Sequence, residues 1–190
     1  MNETPHYYAF ISYSHEDKNL VAAFHDRLEN YEIPFYFRKK RKKIPATLTP
    51  IFRDETDLNI GIMTEEIGKA LKNSDSLIIF CSKASQHSSW VEKEIELFKK
   101  FHHKGECCIV VIVVSENGEK FSGTEYYPSN LSKDIYYVDS CCIDQEWERI
   151  ICKLVGVDYT KISRRKRKDK HLKNNWIVFI LCMFGAVSYT

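Results

Sequence analysis

Two uninterrupted apolar runs, Leu77-Ile78-Ile79-Phe80-Cys81 and Cys107 through Val114, flank an amphipathic stretch at Trp90–Phe101. No other feature of the chain constrains its fold as strongly. A strand that is apolar on both faces has to be covered on both, and that is the environment of a parallel sheet. The stretch between the runs has the length and period of a helix. The centre of the chain therefore reads as strand, helix, strand.

The flanking sequence extends the alternation. Tyr7–Tyr13 is a β-rich run and reads as the first strand. Ser14, with Asp17 three residues later, resembles a capping box that opens a helix, and Leu20, Ala23, Phe24 and Leu28 recur at helical spacing. Ile33–Phe37 reads as a short second strand. A loop of more than twenty residues follows, from Arg38 to Gly61, which is longer than ordinary connections. Thr64 can cap a helix that faces Ile67, Ala70 and Leu71 inward. Ile135–Val138 reads as the last strand, and Trp147, Ile150, Ile151 and Leu154 mark a final amphipathic helix. Strands alternating with helices specify an α/β fold with a parallel sheet. Five strands in about 155 residues suit a flavodoxin-like sheet, whose ligands bind beyond the carboxyl ends of the strands.

Charge is split along the 190 residues. Residues 164–173 hold seven basic side chains and one acid, whereas residues 1–163 carry 21 basic and 25 acidic ones. A mildly acidic domain argues against nucleic acid as a partner. The seven cysteines include no C-x-x-C pair and lie mostly in or beside apolar runs, so they read as reduced, packed thiols. There is no phosphate-binding glycine loop, no G-x-S-x-G and no H-E-x-x-H. His102 and His103 are adjacent rather than spaced along one helix face, so no metal is expected. An acidic pair after the first strand, as phosphorelay would need, is replaced by Ser12-Tyr13-Ser14.

One position breaks the pattern. On a helical wheel Trp90, Val91, Ile95, Leu97, Phe98 and Phe101 form an apolar arc, and Glu92, Lys93, Glu96, Lys99 and Lys100 lie opposite. Glu94 projects into the apolar arc, one turn after Trp90 and one turn before Phe98. A carboxylate on such a face is costly to bury alone. It has either a structural ion-pair partner or a chemical task.

The C-terminal residues Trp176–Thr190 carry no charge. Fifteen helical residues span about 22 Å, against about 30 Å of hydrocarbon. With basic residues just before it, the segment reads as a membrane span cut short at Thr190, with the preceding domain in the cytoplasm. A helix docked on the domain is the alternative.

Four segments, in order, resemble the TIR (Toll/interleukin-1 receptor/resistance) domain family. Phe10-Ile11-Ser12-Tyr13-Ser14 with Asp17 resembles its first strand and turn. Phe52-Arg53-Asp54-Glu55-Thr56-Asp57-Leu58-Asn59-Ile60-Gly61 resembles its long loop, Ser74–Ser82 its third strand, and Ser88 with Trp90–Glu94 its W-x-x-x-E helix. The chain is most similar to bacterial members in which a basic linker and a membrane segment follow the domain. The expected organisation is a TIR domain over 1–158, a juxtamembrane linker over 159–175 and a transmembrane helix over 176–190.

The resemblance implies an activity. Many TIR domains cleave the nicotinamide–ribose bond of NAD⁺, and the glutamate of W-x-x-x-E is their catalytic residue, here Glu94. NAD⁺ is then the substrate, and no cofactor is needed. Phe10, Ser12, Asp54 and Trp90 are the expected binding residues, with Trp90 offering a flat face to the nicotinamide ring and Ser12 a hydroxyl to a ribose or phosphate. Asp54 can equally cap the loop or the next helix. Arg38–Lys43 is either a solvated charge run or a contact for pyrophosphate or membrane. Expected partners are NAD⁺, other TIR domains or a second copy, and a membrane. The alternative is a non-catalytic TIR module that recruits other TIR domains through the Phe52–Gly61 loop.

Overall fold

The computed structural model describes residues 5–38, 44–53, 65–102, 108–115, 124–170 and 172. Five strands are present: β1 (Ala9–Ser12), β2 (Ile51–Arg53), β3 (Leu77–Cys81), β4 (Ile109–Val113) and β5 (Tyr137–Asp139). They form one parallel sheet in the order β2-β1-β3-β4-β5. The helices are α1 (Lys18–Glu29), α2 (Phe35–Arg38), α3 (Glu65–Lys72), α4 (Ser89–Phe101) and α5 (Ile143–Leu154). A further helix, α6, covers residues 159–170.

The two-residue period of the strands sorts the core into two layers. Ala9, Ile11, Ile78, Phe80, Val110 and Ile112 face α1 and α5. Phe10, Leu77, Ile79, Cys81, Ile109, Val111 and Val113 face α3 and α4. Every residue of β3 and β4 is buried, which is why both segments are apolar without alternation. Burial in α3 falls on Ile67, Ala70 and Leu71, as its spacing predicts.

Local departures from the expected elements have identifiable causes. Ser14 makes no side-chain cap. A 3₁₀ turn at His15–Asp17 intervenes, and α1 starts at Lys18. Val21, Phe24 and Leu28 form the buried stripe of α1, while Ala23 is exposed. Ile33–Phe37 is not a strand. Pro34 begins a turn in which Phe37 N–H donates to the Pro34 carbonyl at 3.0 Å, and α2 follows. Ile33 and Phe37, four residues apart, are both buried there, so helical spacing won over β composition. The second strand is instead Ile51–Arg53, inside the stretch that reads as loop. Three edge residues are too few to show a period. In α4, Phe101 is 37% exposed, at the open end of the apolar arc.

The outer side of β2 is closed by α1. Ile51 N–H donates to Glu29 Oε1 at 2.8 Å, and His25 Nε2 lies 3.2 Å from the Ile51 carbonyl.

Residues 159–170, the first part of the expected linker, are helical, and Ile162 packs against the domain. Gly156, at φ 63°, ends α5 in the left-handed region that favours glycine. Val157 N–H then reaches the Cys152 carbonyl at 2.8 Å and Gly156 N–H the Lys153 carbonyl at 3.2 Å, a Schellman closure. The chain turns back, and Ile162 of α6 is fully buried in the α1/α5 layer. The five described cysteines are unbridged. Cys81 and Cys152 are buried, and Cys141 is exposed rather than packed. Burial pushes the Cys152 thiol up to about 12 and the Cys81 thiol higher still. The apolar segment 176–190 lies outside the described residues, and among the described residues no helix is long and apolar enough to cross a membrane.

Candidate active site

The sheet order places a topological switch point between β1 and β3, because α1 leaves β1 towards one layer and α4 leaves β3 towards the other. Ser12 is the last residue of β1, on the α4 side by its two-residue offset from Phe10. Glu94 lies in the second turn of α4, which descends from the carboxyl end of β3. The two meet: Ser12 Oγ donates to Glu94 Oε2 at 2.5 Å, across 82 positions of sequence. Ser12 is 1% exposed and Glu94 2%. The sequence anomaly on α4 is thus a buried carboxylate held by a hydroxyl at the carboxyl end of β1.

Several contacts fix the position of α4. Ser88 caps it, its Oγ accepting from Val91 N–H at 3.4 Å. The Glu92 carbonyl accepts from Asn130 Nδ2 at 2.7 Å, and the Lys99 ammonium donates to the Asn130 carbonyl at 2.8 Å. Gln86 Nε2, in the turn before α4, donates to the Glu125 carbonyl at 2.7 Å. Val91, Ile95 and Phe98 anchor the helix in the core, and Trp90 is half-buried beside them. Phe10 is fully buried, with its ring stacked on Phe52 at 5.1 Å and 15°. Phe52 in turn meets Tyr7 edge-on at 5.3 Å. Of the expected site residues, the structure therefore brings Ser12 and Glu94 into contact, sets Trp90 one turn from Glu94, and places Phe10 beneath Phe52. Asp54 lies outside the described residues, as does most of the Phe52–Gly61 loop.

A second polar link was missed by the sequence reading. Asp17, read there as part of a cap, accepts from Ser82 Oγ at 2.7 Å through Oδ2. Ser82 N–H donates to Ser85 Oγ at 2.7 Å, and Ser85 Oγ donates back to the Ser82 carbonyl at 3.1 Å. The turn after β1 is thereby tied to the turn after β3. Serines at both strand ends were the available signal, but their partner is distant in sequence. Burial holds the Asp17 carboxyl above its ordinary range, and Glu16 adds to the rise, while the Ser82 hydrogen bond offsets part of it. A carboxyl whose folded pKa is raised binds its proton more tightly when folded. Its contribution is therefore most favourable below the unfolded value near 3.8 and is lost as pH rises through the folded value. Asp17→Asn should accordingly gain thermal stability relative to the native chain as pH rises through that window. A melting-temperature difference that stays flat from pH 3 to 7 would contradict this.

Among the described residues no group of three or more His, Cys, Asp or Glu could hold a metal ion. The arrangement offers instead a carboxylate fixed in a poorly screened position. Its ionised form is suited to opposing a positive charge that develops nearby.

The sequence model of the TIR domain matches residues 9–155. The chain belongs to the TIR domain family. The TIR domain here resembles a metazoan TIR-STING receptor from C. gigas, solved in complex with 2′,3′-cGAMP. The TM-score is 0.52 at 18% identity, covering 81% of this chain and 41% of that one. It also matches the TIR domains of the activated Roq1 resistosome, which directly recognizes the pathogen effector XopQ, with a TM-score of 0.39, 22% identity and 58% of each chain covered. The TIR-STING likeness concerns the fold alone, and this chain spans less than half of that receptor. No curated protein matches the chain in sequence.

Proposed function

We propose that this TIR domain is an NAD⁺ nucleosidase that cleaves the nicotinamide–ribose bond on self-association, in signalling or defence. The observation that carries the reading is the buried Glu94 carboxylate, held by Ser12 at the switch point of the sheet. Family membership supplies the chemistry to which such a carboxylate is suited.

In the proposed reaction the C1′–N bond breaks and its electron pair leaves with the nicotinamide nitrogen, which departs as a neutral base. No strong general acid is required. Positive charge accumulates on C1′ and the ring oxygen, and a water then adds its oxygen to C1′ and releases a proton. Glu94 opposes the developing charge where little water screens it. Ser12 orients the carboxylate or, once displaced, meets a ribose hydroxyl. Trp90 supplies a flat face to the nicotinamide ring. Phe10 acts through its stack on Phe52, and Asp54 completes the proposed binding set. NAD⁺ enters as substrate, with no cofactor or metal. The tail over 176–190 tethers the domain to a membrane from the cytoplasmic side.

One observation favours a second reading. Glu94 is 2% exposed and already hydrogen-bonded, as a purely structural carboxylate would be. The domain would then be a non-catalytic module that recruits other TIR domains. The full chain, clustered on liposomes with NAD⁺, separates the two. Nicotinamide release that grows more steeply than linearly with surface density is expected of the enzyme. No turnover at any density would leave the recruiting module.

A further inference from the structure

We propose that the outer face of α6 lies on an anionic lipid bilayer surface and sets how the domain is oriented there. The inference rests on α6 itself and holds whether or not residues 176–190 insert.

The helix has two distinct sides. Ile162, Arg165, Lys166 and Asp169, at i, i+3, i+4 and i+7, form the inner stripe. Ile162 is fully buried, Arg165 Nη1 donates to the Tyr36 carbonyl at 3.4 Å, and the Lys166 ammonium donates to Glu148 Oε1 at 2.5 Å. The helix is thereby clamped to α2 and α5. Lys161, Arg164, Arg167 and Lys168 point the other way and are exposed. Lys161 is 4.0 Å from Asp158, whereas Arg164, Arg167 and Lys168 have no ion-pair partner among the described residues. Asp169 is the sole acid within residues 159–170, and it sits on the inner stripe. Of the seven basic residues of α6, Arg165 and Lys166 thus hold the helix to the fold, Lys161 lies near Asp158, Lys170 is also exposed, and Arg164, Arg167 and Lys168 present charge outward from a rigid ridge.

A lipid surface fits this ridge better than a nucleic acid does. The Arg165 contact sets α6 against α2, where Phe35 is 67% exposed. Clustered Arg and Lys on a helix face suit an anionic headgroup boundary. Residues 1–163 carry 25 acidic against 21 basic side chains, so apart from this ridge and the Arg38–Lys43 run the domain lacks the basic surface expected of a groove-tracking polyanion binder. Because α6 is packed in the α1/α5 layer, contact through it turns α3 and α4 away from the bilayer. Lys72 and Lys93 are exposed on that far side.

The test follows lysine acetylation in the full chain by mass spectrometry, on vesicles of phosphatidylcholine alone and with phosphatidylserine added. Each Lys or Arg near an anionic surface contributes about a fivefold gain in partitioning, so three amount to roughly a hundredfold. Lys168 should be acetylated at least about tenfold more slowly on the anionic vesicles, with Lys72 and Lys93 unchanged as internal standards. Raising the salt to 1 M shrinks the screening length to about 3 Å and should remove the protection. Arg164→Glu combined with Arg167→Glu should abolish it while keeping Lys168 as the reporter. Sedimentation with the neutral vesicles reads tail insertion separately. Equal acetylation of Lys168 on both vesicle types overturns the proposal, and so does protection of Lys168 by a DNA duplex at lower concentration than by the vesicles.

Discussion

Glu94→Gln should lower nicotinamide release by about 100- to 1000-fold, the loss expected when one preorganised electrostatic group is removed from a transition state. The substitution is chosen for what it preserves. Glutamine fills the same volume on the buried face of α4, and its amide oxygen can still accept from Ser12 Oγ, which sits 2.5 Å from the carboxylate. The melting temperature should therefore change by less than about 4 °C, roughly 1 kcal/mol for a domain of this size. Loss of turnover in a folded variant isolates the charge as the cause. Ser12→Ala serves as the companion. It keeps the carboxylate and removes the hydroxyl that orients it, so it should reduce activity less than Glu94→Gln does. The kinetics would be read by chromatographic nicotinamide release from clustered protein. Turnover of Glu94→Gln within tenfold of native would exclude Glu94 as the reacting carboxylate.

Phe80→Ala should destabilise the fold by about 3–5 kcal/mol, the range for removing a large ring from a core that cannot collapse around the void. Phe80 is the fourth of the five residues of β3, fully buried, and meets Phe24 edge-on at 5.3 Å. Phe24 in turn meets Trp147 at 5.5 Å, so one ring in the sheet braces α1 and α5 together. Denaturant titration should show the midpoint shift, and heating should show a melting temperature lower by roughly 6–20 °C. Phe35→Ala provides the contrast, since a residue 67% exposed should change stability by no more than about 0.5 kcal/mol. A Phe80→Ala cost under about 1 kcal/mol would mean that the α1/α5 layer collapses around the void.

The sheet was readable from sequence wherever burial on both faces left no choice. Leu77–Cys81 is a strand with the bounds its apolar run suggested, and α4 begins one residue earlier than its arc did. Legibility failed where elements are short. Ile33 and Phe37 satisfy a strand by composition and a helical turn by spacing, and Pro34 decides for the turn. Ile51–Arg53 is defined only by pairing with β1, which no local pattern encodes. At the site, Glu94 could be singled out because it violates its helix's own polarity. Ser12 is marked by the family resemblance as a donor to ribose or phosphate, but its bond to Glu94 could not be read, because only the strand order brings that serine opposite α4. The Asp17–Ser82 link was hidden for the same reason, with 65 positions between its ends.

The way α1 closes over β2 bears on how copies of this domain can join. With Glu29 and His25 occupying the backbone groups of Ile51, a strand from a neighbour could pair there only by first breaking those side-chain bonds. Continuous growth of a sheet from molecule to molecule needs two receptive margins, and this one is plugged from within. Pairing of a second chain at Ile51 would therefore compete with bonds the domain already makes to itself, a competition that a contact through helical surfaces would not meet.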